Sequence, residues 1–195
     1  IPDLTAGFSK IYNSLIRNSV EPAAEGLAQV HRGIMAHYAG DKKFHNSPYF
    51  MQQQHAFIQS FVEAGLDRSR LRLSVLAHIA LELMLDRQIL MHDHNLCHHY
   101  YEIVDKADEQ VLQNYFDSLS LERQKQVYLE RFHFFKQRRF LLLFDDLESI
   151  VFGLNRVYGM VTKTEFSVKE KRQFVAALHN MDIVLRYSWQ QILKG

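Results

Sequence analysis

The stretch Leu71–Met91 constrains the fold more than any other part of this 195-residue chain. It reads LRLSVLAHIALELMLDRQILM, and between Val75 and Leu85 its only polar residues are His78 and Glu82. A helix turns once in about 3.6 residues, so a segment that is apolar on nearly every side predicts a helix buried nearly all round. We therefore expect this segment to be the central helix of the fold.

The polar residues of this segment follow one stripe. His78, Glu82 and Asp86 are spaced by four, and that spacing places them along three successive turns of a helix. A buried carboxylate needs a partner, and imidazole together with carboxylates is a ligand set for a divalent cation. A buried arginine or histidine paired with the acids, or a helix face wetter than its composition suggests, would satisfy them equally. The spacing leaves these explanations open.

A second stripe of the same spacing lies in GIMAHYAGDKKFHNSP, residues 33–48. His37 and Asp41 share a helix face, and His45 lies at or just past the end of that helix. Metal donors must converge on one point, and pairs spaced by four hold two donors rigidly. A solvated helix face ending in a cap explains this stripe alone more simply. Two helices with His/acid stripes of identical spacing favour a shared metal site.

The remainder of the chain has helical periodicity and no convincing strand. Ser47-Pro48 and Ser167 are expected helix starts, and a second strongly apolar helix is predicted over residues 139–161. No repeat, linker or low-complexity tract is visible. We expect an all-α fold, with residues 1–195 forming a single compact helical domain like a bundle.

Composition bears on location and on partners. The one cysteine, Cys97, cannot form an internal disulfide, which is typical of a reducing cytosol. No apolar run reaches the roughly 18 residues of a membrane span, so we expect a cytoplasmic protein. A net charge of +1 argues against nucleic acid as a partner. The chain begins at Ile1 without methionine, and we expect its natural N-terminal segment to be missing.

Four segments of the chain, in order, match the pattern of one known family. Residues 33–48, with Gly33-Ile34, His37, Asp41 and Pro48, resemble the signature GI-x-x-H-R-x-I-D-x-F-T-D-x-H-P of the bacterial acyl carrier protein phosphodiesterases. The other three segments are Ile1–Leu4 against I-A-D-F, Glu82 to Asp86 against D-I-F-Y-D-H, and Leu147–Ile150 against I-E-G-I in a longer helix.

This chain departs from the family pattern at several positions. They are Tyr38 in place of arginine, His45 in place of aspartate, Ser47 in place of histidine, Glu82 in place of aspartate and Arg87 in place of histidine. The family's N-x-L-A-H segment has no counterpart here.

The resemblance implies a fold, a cofactor and a reaction. The fold would be similar to the helical plan of HD-domain phosphohydrolases. The cofactor would be a divalent metal, manganese by expectation, with magnesium, iron and zinc as alternatives. The reaction would release phosphopantetheine from acyl carrier protein, a step of lipid metabolism, or cleave a related phosphodiester. The implied metal ligands are Asp3, His37, Asp41, His45, Glu82 and Asp86.

Further roles are open at the level of the sequence. Glu82 is expected to be a ligand or the general base. His78 has no counterpart in the family, so it is a ligand, a partner of a ligand, a proton donor or a core histidine. Arg87 and Arg156 are candidates for binding the phosphate, unless each pairs with an acid. The alternative function is a non-catalytic helical scaffold or binding domain, and the oligomeric state stays open.

Overall fold

The computed structural model describes residues 10–194, and it describes the side chains of residues 14–192. Over this part of the chain the protein is all-α, as predicted, and no residue lies in a strand. Its α-helices are α1 Lys10–Asn18, α2 Glu25–His45, α3 Pro48–Glu63, α4 Leu73–His92, α5 His94–Asp105, α6 Glu109–Ser118, α7 Glu122–Arg138, α8 Leu147–Thr162 and α9 Val168–Ser188. Short 3-10 helices cover Phe140–Leu143 and Trp189–Lys194. Within residues 10–194, every helix is too short or too polar to serve as a membrane span.

Two predicted helix starts are confirmed by their capping bonds. Ser47 precedes α3, its hydroxyl accepts from the Phe50 amide at 3.1 Å, and Pro48 is the first helical residue. Ser167 precedes α9 and forms a reciprocal capping box with Glu170. Each cap satisfies backbone amides that have no partner inside the helix.

The single apolar helix predicted over residues 139–161 is wrong. Helix α7 ends at Arg138, and Arg139 is left-handed with φ 45°. A 3-10 turn follows, and Asp146 then caps α8, its carboxylate accepting from two backbone amides at 3.2 and 2.9 Å. Aspartate is among the preferred N-cap residues, whereas apolar composition carries no information about where a helix is interrupted.

The chain divides into two compact units. Of the described residues, the first unit comprises 10–43 and 100–139, and the second comprises 44–99 and 140–194. The single domain expected from the sequence stays a prediction beside this division.

The core of the second unit is built on α4, which packs against α3, α8 and α9. Leu76, Ala77, Ala80, Leu81 and Met84 are all fully buried on this helix. Burying a leucine side chain contributes about 1.5–3 kcal/mol, so this helix is a main source of stability. The prediction of a central buried helix is confirmed within this unit.

The first unit has its own smaller core from α1, α2, α6 and α7. Ile16, Ile34, Tyr115 and Phe132 are among its buried members. Its buried histidine, His31, lies with Nδ1 3.0 Å from the Tyr115 hydroxyl, so its polar ring has a partner. The boundary with the second unit falls inside α2, after residue 43.

Candidate metal centre

Three side chains of the second unit converge on one point. Helix α4 supplies His78 and Glu82, and the last residue of α2 supplies His45. The spacing of four between His78 and Glu82 places both on one face of α4. The Ser47 cap begins α3 two residues after His45, so the end of α2 is followed at once by a defined turn.

Both imidazoles face the same carboxylate oxygen. Nε2 of His45 lies 2.8 Å from Oε1 of Glu82, and Nε2 of His78 lies 3.3 Å from the same atom. A carboxylate only accepts hydrogen bonds, so each Nε2 that bonds to it carries the proton. The centroids of the two imidazole rings are 4.6 Å apart.

Aromatic rings close one side of this cluster. Phe50, which is buried, meets both imidazoles edge to face, with ring centroids 4.8 Å from His45 and 5.0 Å from His78. Phe44 lies 5.3 Å from His45. The other side is open, because the side chains of His45, His78 and Glu82 keep 29, 37 and 41% of their surface exposed.

The histidines determine the charge state of Glu82. Partial burial acts to raise the pKa of its carboxyl group. Hydrogen bonds from His78 and His45 outweigh that effect and hold the pKa of Glu82 below its ordinary value. The carboxylate is therefore ionised at neutral pH, which is the form that ligates a metal.

Among the described residues, this is the one group of three or more His, Cys, Asp or Glu side chains close enough to share an ion. One donor atom from each of His45, His78 and Glu82 lies within 4.8 Å of the others. Two imidazoles and one carboxylate are a known ligand set for catalytic zinc, where a fourth position is left for water.

The other expected ligands do not join this group. Asp86 is exposed on α4 and is not among the grouped donors. His37 and Asp41 are partly exposed in the first unit, where Nε2 and Oδ2 are 3.3 Å apart. Two side chains four residues apart can meet, as those of His78 and Glu82 do. A third member of the same stripe is eight residues from the first and about 12 Å away along the axis, so Asp86 does not reach the same point as His78. Asp3 lies outside the described residues.

Arg87 is buried in the second unit, and its guanidinium is hydrogen-bonded there. Its Nε donates to Oδ1 of Asp182 at 2.9 Å, and its Nη1 donates to the Phe144 carbonyl at 2.5 Å. Gln88 donates to the same Asp182 oxygen at 2.6 Å. The guanidinium does not face solvent, which leaves it poorly placed to receive a phosphate. Arg87 therefore pairs with an acid, which is the alternative to a phosphate contact, and that acid is Asp182.

Arg156 is exposed on α8 and stays a prediction as a phosphate ligand. Phe50 is not among the residues singled out from the sequence. The signal for its burial is the spacing of Phe50, Phe57 and Phe61, which lie on one face of a helix and are all buried in α3.

Comparison of the chain with protein-family models, with curated proteins and with solved structures finds no match. The resemblance to the acyl carrier protein phosphodiesterases therefore rests on the four sequence segments alone.

Proposed function

We propose that the protein is a divalent-metal-dependent hydrolase of phosphodiesters, with the ion held by His45, His78 and Glu82. The observation that carries the proposal is the convergence of both Nε2 atoms on Oε1 of Glu82, at 2.8 and 3.3 Å. Three protein ligands with an open side are typical of catalytic metal sites, whereas structural zinc sites are closed by four.

A divalent ion bound there would supply Lewis-acid activation of a water and of the phosphate oxygens. His45 and His78 would hold it through Nε2, and Glu82 would hold it through Oε1. The second carboxylate oxygen, Oε2, would be the acceptor for a proton released at the site. Phe50 would keep both imidazoles in place by edge-to-face contact.

The substrate class comes from the sequence resemblance. It favours a phosphodiester, with phosphopantetheine on acyl carrier protein as the particular case and an HD-like helical plan as the fold. The exposed Arg156 is the remaining candidate for a phosphate contact. The proposal includes a cytoplasmic location, which a chain with one buried cysteine, Cys97, suits.

A specific observation favours a second function, a non-catalytic helical scaffold or binding domain. The polar groups of the cluster already bond to one another, since both imidazoles face the Glu82 carboxylate. Arg87 is similarly satisfied by Asp182. A cluster of this kind stands without an ion, and it could persist after catalysis has been lost.

The test is hydrolysis of bis(p-nitrophenyl) phosphate by protein that has been stripped with chelator and reloaded with zinc, manganese or magnesium. Glu82→Ala and His45→Ala should each reduce turnover by more than the roughly 10–100-fold that loss of an outer hydrogen-bond partner costs. The matched control is His55→Ala, an exposed histidine of α3 that bonds to Gln59, and its turnover should be unchanged.

Two results would count against the hydrolase. One is the absence of turnover with all three ions, and the other is unchanged turnover in Glu82→Ala. Circular dichroism of each variant without added ion checks that the helices are intact. A folded protein that turns over no phosphodiester supports the scaffold function.

A further inference from the structure

We infer that this cluster is a single-ion centre with two nitrogen ligands and one oxygen ligand, that His78 is an obligatory ligand, and that it selects zinc over manganese and magnesium. The inference rests on the ion binding that the proposed function requires, and it does not depend on turnover. It differs from the manganese site implied by the sequence resemblance.

The kinds of donor atom in the cluster favour zinc. The six ligands implied by the resemblance include four carboxylates, which suit manganese and magnesium. The group that forms among the described residues holds one carboxylate, Glu82, and two imidazoles, His45 and His78. Imidazole suits zinc, and sites of this kind bind manganese more weakly than zinc by the general order of divalent affinities.

The distances between the donor atoms are close to those around a tetrahedral zinc ion. Zinc bonds of about 2.0–2.1 Å at tetrahedral angles place neighbouring donor atoms about 3.3 Å apart. The His78 and Glu82 donors are already 3.3 Å apart, and this pair is held by its spacing on α4. The His45 and Glu82 donors are 2.8 Å apart, so they must separate by about 0.5 Å to reach that spacing. A small rotation about the side-chain bonds of His45 is enough for a shift of this size.

The aromatic rings around the cluster disfavour ions that need six ligands. Manganese and magnesium prefer six ligands, most of them oxygen atoms. With three protein donors, either ion would need about three waters to complete its coordination. Phe50 and Phe44 occupy one side of the cluster with apolar rings that accept no such waters. A four-coordinate ion needs one additional ligand, and the exposed side of the cluster has room for it.

The experiment measures ion binding directly. Chelator-stripped protein is titrated with zinc, manganese and magnesium by calorimetry, and separately with cobalt, whose visible absorption is strong when it is four-coordinate. We expect one zinc per chain, a Kd for zinc at least about tenfold below that for manganese, and a four-coordinate cobalt spectrum that zinc abolishes.

Variants assign the ligands. His78→Ala and Glu82→Gln should each abolish the cobalt spectrum and weaken zinc binding at least about tenfold. The control is His98→Ala, because exposed histidines such as His98 on α5 are the natural source of adventitious zinc binding. Asp41→Ala tests the ligand set implied by the resemblance, and it should leave binding unchanged.

Any other binding result overturns the inference. Tighter binding of manganese than of zinc removes the selectivity, and a zinc Kd that His78→Ala leaves unchanged removes the ligand assignment. Loss of binding in Asp41→Ala or His98→Ala places the ion elsewhere. Absence of binding to any ion overturns both this inference and the metal-dependent hydrolase, whereas tight zinc binding without turnover overturns the hydrolase alone.

Discussion

Removal of the Asp182 carboxylate should be among the most destabilising single changes in the second unit. Asp182 accepts from Nε of Arg87 at 2.9 Å and from Nε2 of Gln88 at 2.6 Å, and the side chains of Asp182 and Arg87 are each 8% exposed. In Asp182→Ala, a buried guanidinium keeps the Phe144 carbonyl and loses the carboxylate to which it is hydrogen-bonded. Breaking one side of a buried ion pair costs about 3–5 kcal/mol.

The assay is urea unfolding followed by far-ultraviolet circular dichroism, with a thermal melt beside it. A chain of this size loses about 2–4 °C in Tm per kcal/mol, so Asp182→Ala should melt about 6–20 °C lower. The control is Arg186→Ala, which removes a 58% exposed arginine 3.4 Å from the same carboxylate. Exposed pairs contribute about 0–1 kcal/mol, so this variant should change little.

The pH dependence of the free energy of unfolding and the stability of a double variant test the same reasoning. Burial acts to raise the pKa of Asp182, but the bonds from Arg87 and Gln88 hold it below its ordinary value. The pair therefore contributes stability above the unfolded pKa of about 3.9 and loses it as the pH falls further. The double variant Arg87→Met/Asp182→Leu should lose less than Asp182→Ala, because no uncompensated charge is left buried. A loss below about 1 kcal/mol in Asp182→Ala would refute the argument.

Three other predictions follow from the same structure. Leu81→Ala, at a fully buried position of α4, should lower the free energy of unfolding by about 2–5 kcal/mol in urea. Gly65→Ala should destabilise by more than about 1 kcal/mol in the same assay, because Gly65 has φ 80°, a left-handed conformation that alanine adopts only with strain, and the Gln173 side chain would also have to shift. Zinc at about 100 times its Kd should stabilise the protein by about 2.7 kcal/mol, and a melt that chelator and zinc leave unchanged would contradict this. In Glu82→Gln, whose zinc Kd should be at least about tenfold higher, the same zinc concentration should stabilise the protein by no more than about 1.4 kcal/mol, which ties the effect to the cluster.

Local signals in the sequence predicted much of the helical structure. Four-residue spacing placed His78 and Glu82 on one face of a central helix, and the structure has both on α4. Ser47 and Ser167 predicted helix starts because a capping residue satisfies backbone amides within its own first turn. These features depend only on residues a few positions apart, because helix periodicity and capping hydrogen bonds act within one or two turns of the chain.

The tertiary structure decided which polar residues meet. His45 reaches Glu82 from 37 positions away, and Asp182 reaches Arg87 from 95 positions away. The packing of α4 also left Asp86 exposed, although its spacing matches that of the grouped residues. Spacing along one helix specifies which residues share a face, but it does not say which other helix packs against that face. The neighbour depends on how several helices bury their apolar surfaces together, and no single segment contains that information.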